Sequence, residues 1–114
     1  MKEGNVALAS IPQADGHSKT RPIILLRSMP PYRDWLVCSV STQLHQLVLE
    51  FDELISTEDF DFVLSGLKAP SLVRLGFLSV LPRRDIIGSI GSISFDRHQR
   101  LLQNLCNHLL NGSI

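Results

Sequence analysis

A small, mainly β barrel, closed or nearly closed and carrying one C-terminal helix, is predicted by three features of the 114-residue sequence. Short runs rich in Val, Ile and Leu recur between Pro, Gly and Asp punctuation. The glycines of "IIGSIGSIS" fall where a curving sheet must bend. After residue 95 the apolar period changes from that of a strand to that of a helix. A chain of this length holds one core, so a single domain over residues 1–114 is the expectation.

The elements follow in order. "NVALASI" (5–11) reads as a first strand, and "PQADGHSKT" (12–20) as a loop of turn-forming residues. "PIILLRS" (22–28) is the second strand. Pro22 suits its first position, because proline has no N–H to give a ladder. "WLVCSVSTQ" (35–43) is the third, and the three together form an antiparallel meander. "HQLVLEFDEL" (45–54) is read as a fourth strand. Ser56 is placed as the N-cap of one short helical turn that Gly66 ends. "SLVRLGFLSVL" (71–81) and "IIGSIGSIS" (86–94) are the fifth and sixth strands. From Phe95 to Asn111, Leu101, Leu102, Leu105, Cys106, Leu109 and Leu110 share one helical face. Ser94 is its N-cap, Asp96 suits its positive end, and Gly112 stands at its C-terminal stop.

Composition excludes several classes. Apolar residues make up 44% and formal charge is zero, which describes a globular chain and not a disordered one. No uninterrupted apolar stretch exceeds four residues, so no membrane helix is expected. "MKEGNVALASIPQAD" makes a poor secretory signal, and a cytoplasmic location is the reading. Cys38 and Cys106 lack CxxC spacing and are read as buried free thiols. His17, His45, His98 and His108 show no ligand spacing, so neither metal nor other cofactor is expected. Glu50, Asp52, Glu53, Glu58, Asp59 and Asp61 put six acids in one segment with no base among them. The rest is basic, +2 over 1–49 and +4 over 62–114. Folding can gather that excess into a cationic surface, or leave the acids as a solvated loop.

Two stretches stand out chemically. In "SKTRPIILL" (18–26), Pro22 holds Arg21 extended at the mouth of an apolar strand, which fits either a solvated strand end or a placed anion-binding group. In "VCSVSTQ" (37–43), alternation puts Val37, Ser39, Ser41 and Gln43 on one face, so a core strand turns polar as it ends. No Ser-His-Asp or Cys-His arrangement follows from spacing, and no phosphate-cradling GxxxxGK is present.

Together these stretches resemble the MazF/PemK toxins of type II toxin–antitoxin systems, which are sequence-specific endoribonucleases. Glu3-Gly4-Asn5-Val6 resembles the family's opening "GDV", Arg21-Pro22 its "RP", and Val40-Ser41-Thr42-Gln43 its "ITSQ". "DFVLSGLKAPSLVRL" (61–75) is similar to the PemK-type stretch with "GL" and "S-x-V-R", and "IGSIS" before a helix to the usual ending. Asn5 stands in place of the family's aspartate and Ser41 in place of its threonine. The resemblance implies an SH3-like barrel, a homodimer, a cognate antitoxin with an acidic tail, and metal-independent cleavage of single-stranded RNA as an mRNA interferase. It carries the catalytic pair to Arg21 and Ser41. Asn5, His17, Lys19, Thr20, Pro22, Thr42 and Gln43 are the expected substrate-binding residues around them.

The chemistry is consistent with those residue types. RNA cleaves when its 2′-hydroxyl attacks the adjacent phosphate; a guanidinium matches two phosphoryl oxygens at once and a hydroxyl donates to a third. Arginine, with a pKa above about 12, is a poor general base. His17, in the loop just before Arg21, fits either a solvated loop histidine or a proton shuttle at neutral pH. The alternative is a barrel that keeps this fold and only binds RNA or a peptide. A gyrase-poisoning relative of the CcdB kind shares the fold, but the RP and STQ stretches speak against it.

Overall fold

The computed structural model describes residues 1–12 and 14–112. Six strands, β1 (Asn5–Pro12), β2 (Ser18–Met29), β3 (Asp34–Ser41), β4 (Glu53–Ile55), β5 (Ser71–Leu81) and β6 (Ile86–Ser92), are joined by a short helix α1 (Phe62–Ser65) and followed by α2 (Phe95–Asn111). They form one antiparallel sheet in the order β4-β5-β3-β2-β1-β6, curled into a half-barrel that bears α2. The expected mainly β fold with a C-terminal helix is what forms.

The unbroken "IILL" of β2 has a simple cause. Successive strand residues face opposite sides, and both sides are covered. Ile24 and Leu26 join Val6, Cys38, Val40, Ile55, Val73, Leu75, Leu101 and Leu105 in the main core under α2. Ile23 and Leu25 join Ala7, Ala9, Trp35, Val37 and Ile86 in a second core on the other side. Each such Leu or Ile stabilises by about 1.5–3 kcal/mol on burial.

Several expectations change. The loop placed over 12–20 is mostly strand, since β2 begins at Ser18 and pairs with β1 as far as Pro12↔Ser18; Gln13 lies outside the described residues. The fourth strand shrinks to Glu53–Ile55. Ahead of it, Leu44–Gln46 makes one 3-10 turn, Val48 and Leu49 are exposed, and Glu50 has a φ of 63° that ends any extended run. Ser56 caps nothing: its N–H donates to Asp59 Oδ2, and the short helix starts at Phe62. Gly66 does stop α1, with φ 73°, and a side chain there would collide with the Ile90 carbonyl. Gly91 is required likewise, for a Cβ would strike the Leu64 carbonyl, so α1 lies backbone to backbone on β6.

The C-terminal helix has its expected ends. Ser94 Oγ accepts from Arg97 N–H, and Gly112 is left-handed at φ 66°. Its apolar face is only half used: Leu101 and Leu105 are buried, Cys106 is exposed, and Leu109 and Leu110 are 70% and 84% exposed. Cys38 is buried, and burial followed by the nearby Asp52 charge pushes its thiol well above the usual range. No helix among the described residues is long and apolar enough to cross a membrane.

Four acids of the acidic segment, Asp52, Glu53, Asp59 and Asp61, are drawn into the fold, while Glu50 and Glu58 are exposed. Arg97, on the first turn of α2, donates to Asp61 through Nε (2.9 Å) and Nη2 (3.1 Å). It also donates to Asp59 (3.0 Å), Glu53 (3.0 Å) and the Leu54 carbonyl (2.9 Å). All five guanidinium N–H groups have acceptors. Asp61 Oδ2 also accepts from Ser94 N–H, so one buried carboxylate fixes both the cap and the arginine of α2.

Candidate nucleic-acid interface

The site forms where β2 and β3 part. Their ladder begins at Ile23↔Ser39, and the next residue toward the opening is Pro22, which has no N–H to continue it. Carrying that register two residues further sets Arg21 opposite Ser41. Each is held from its far side instead, Arg21 by Ala9 of β1 and Ser41 by Leu72 of β5. The parting leaves a cleft of about 250 Å³ lined by Ile11, Arg21, Ser39, Ser41, Thr42, Gln43, Arg74 and Phe77, with Val40 at its base.

Ser41 has a defined rotamer despite lacking a β-methyl. Gln43 N–H donates to its Oγ at 3.0 Å, which occupies an oxygen lone pair and leaves the hydroxyl proton to donate elsewhere. Arg74 faces Ser39 across the β3–β5 pair, and its guanidinium carbon lies 3.8 Å from the Phe77 ring centroid. Among the described residues, neither Arg21 nor Arg74 has a carboxylate at ion-pair distance. Two unneutralised guanidinium groups beside a hydroxyl make a site for an anion with several oxygens.

The expected site residues divide. Arg21, Ser41, Thr42 and Gln43 come together in the cleft. Lys19 and Thr20 are exposed on the same strand as Arg21 but outside the lining. Pro22 lines a different, mostly apolar hollow with Leu8, Gly66, Leu67, Lys68 and Ile90. His17 is exposed, with its own N–H donating to Asp15 and its ring 3.5 Å from that carboxylate. Asn5 is buried, and its Oδ1 accepts from Lys2 N–H, a turn-fixing role away from the cleft. Arg74 and Phe77 were not anticipated as site residues. An arginine inside an apolar strand and a glycine two residues later were the available signal.

A curled antiparallel half-barrel with a C-terminal helix matches a MazF-like fold. Among solved structures it is similar to the Mycobacterium tuberculosis toxin MazF-mt6, with a TM-score of 0.68 and 19% identity over 92% of this chain and 95% of that one. No family model matches the sequence, and no curated protein matches it.

Proposed function

We propose that the protein is a toxin endoribonuclease of a toxin–antitoxin system, cleaving single-stranded RNA in the Arg21–Ser41 cleft. The observation that carries this reading is the convergence of Arg21, Ser41 and Arg74 on one open cleft, with no carboxylate among the described residues at ion-pair distance from either arginine. The likeness in fold to a MazF toxin supports the same reading. The RNA 2′-oxygen forms a bond to phosphorus as the bond from phosphorus to the 5′-oxygen breaks, leaving a 2′,3′-cyclic phosphate and a 5′-hydroxyl. Arg21 and Arg74 hold the phosphoryl oxygens, and Ser41 donates to the charge that builds on them. A well-aimed donor contributes about 3–4 kcal/mol to such a transition state. The 2′-hydroxyl proton passes to solvent and the 5′-oxygen takes one back. The nucleophile belongs to the RNA, and no divalent ion is required.

A second copy of the chain pairs through apolar residues of β5 that the fold leaves open, Leu78 and Val80 among them. The cognate antitoxin presents an acidic tail to the cleft, with affinity that falls as salt rises.

Single-turnover cleavage of a labelled RNA in EDTA, with the new 5′ ends mapped, tests the reading. Arg21→Ala abolishes cleavage, and Arg21→Lys is poor because an ammonium cannot make the two-pronged contact. Ser41→Ala slows it by roughly 10² to 10³, while Ser41→Thr is tolerated. Full activity in Arg21→Ala, or activity lost to EDTA, overturns the mechanism; RNA bound but uncut by the wild type leaves the binding-module alternative.

A further inference from the structure

The β3–β5 ladder slips by three residues: Cys38 faces Leu78, while the next residue, Ser39, faces Arg74. Leu75, Gly76 and Phe77 therefore have no partner on β3, a bulge that re-aims the strand on either side of it. Arg74, just before the bulge, and Phe77, its last residue, stack on each other. Both line the main cleft and a second hollow of about 160 Å³ reaching Val48, Phe51 and Asp52, so their stack stands between the two.

One carboxylate is bonded to the bulge. Asp52 is 8% exposed. Its Oδ1 accepts from Leu75 N–H at 3.1 Å and its Oδ2 from Val48 N–H at 3.0 Å. The first gives the bulge's leading N–H an acceptor from the β4 side of β5. The second closes the turn over 48–52, where Asp52 N–H donates back to the Val48 carbonyl at 2.9 Å. The next residue, Glu53, begins β4 and pairs with Val73, so the carboxylate is tied to β5 by the backbone as well.

We propose that Asp52 is a positioning residue of the cleft: it holds the β5 bulge so that Arg74 stays stacked on Phe77 and turned to the cleft, and it acts on RNA only through them. The effect on RNA rests on the ribonuclease reading; the effect on Arg74 does not.

Two measurements separate these. In the NMR spectrum the Arg74 Hε resonance lies upfield, because the guanidinium sits over a ring. In Asp52→Ala, at a temperature where a melting curve shows it folded, that resonance moves to the position of a free arginine. Asp52→Asn, which keeps one acceptor oxygen, moves it part of the way and carries the test should the alanine variant not fold. An unmoved resonance in the folded variant overturns the proposal. In cleavage, Asp52→Ala lowers kcat/KM by on the order of tenfold, chiefly through KM, as expected for a displaced contact group. In an Arg74→Ala background the same change costs less than about twofold, since the coupled pair is already broken. Equal losses in both backgrounds also overturn the proposal. A wild type that cuts no RNA overturns the ribonuclease reading, and the Arg74 resonance still decides the role of Asp52.

Discussion

Arg97 and Arg21 are the same side chain in opposite surroundings. Arg97 is 6% exposed, with Glu53, Asp59 and Asp61 gathered on it and every N–H group bonded. Arg21 is exposed at the end of a ladder, and no described carboxylate lies at ion-pair distance. The formal charge of zero hides this partition. Acids of the 50–61 segment are consumed inside the fold, on Arg97, on Arg100 and, for Asp52, on backbone N–H groups. Asp52, Glu53, Asp59 and Asp61 are committed there, and none stands at ion-pair distance from the arginines of the cleft. An arginine whose donors are all satisfied builds the structure, and one whose donors are idle is available to a ligand.

The largest expected effect that tests this contrast is on stability. Arg97→Ala strands the Asp61 carboxylate, whose side chain is 1% exposed, and costs about 3–5 kcal/mol. Urea denaturation measures it, and a loss below about 1 kcal/mol, the usual worth of an exposed pair, erases the distinction between the two arginines.

Acid is a gentler way to break the same network. Burial pushes the Asp61 carboxyl up, but the hydrogen bond and charge of Arg97, together with the Ser94 N–H, hold it below the ordinary carboxylate value. A carboxyl depressed in the folded state contributes stability that is complete above its unfolded value, about 3.9. That contribution is lost as pH falls through the folded value. The melting temperature of the wild type therefore falls on acidification below about pH 4. In Arg97→Ala, the part of that fall belonging to Asp61 is absent.

The smallest effect sharpens the contrast from the other side. Arg21→Ala and Arg74→Ala each change unfolding free energy by less than about 0.5 kcal/mol and about 1 kcal/mol respectively, the second including the lost ring contact. Chemical denaturation with both variants checks this, and a cost near that of Arg97→Ala makes Arg21 a structural residue.

How much of this was legible depends on where the information lay in the chain. β1, β3, β5 and α2 announce themselves through local period and caps. Ser18 to Arg21 did not, because this part of β2 is paired on one side and exposed, so no apolar alternation marks it. "HQLVLEFDEL" misled for the converse reason: Val48 and Leu49 supply an apolar run that the fold leaves in solvent. In the cleft, Arg21, Ser41, Thr42 and Gln43 sit in two contiguous stretches that could be read together. Arg74 and Phe77 enter only through a three-residue register slip, at which Leu75 N–H donates to a carboxylate 23 residues away. The acidic segment was similarly opaque, since its partner Arg97 lies 36 residues beyond Asp61.

The parting of β2 from β3 has one more consequence. Beyond Ile23, the outer side of β2 is a bare strand edge, with Thr20 and Lys19 paired only to β1. Such an edge is a template on which another chain can add a strand, and proteins blunt it with charge and proline. Lys19, Arg21 and Pro22 are those devices here, at alternate and adjacent positions along the open margin. The guanidinium turned toward the cleft is thus also a guard against edge-to-edge aggregation, so a neutral, β-prone substitution of Lys19 and Arg21 together trades a charged margin for a self-complementary one.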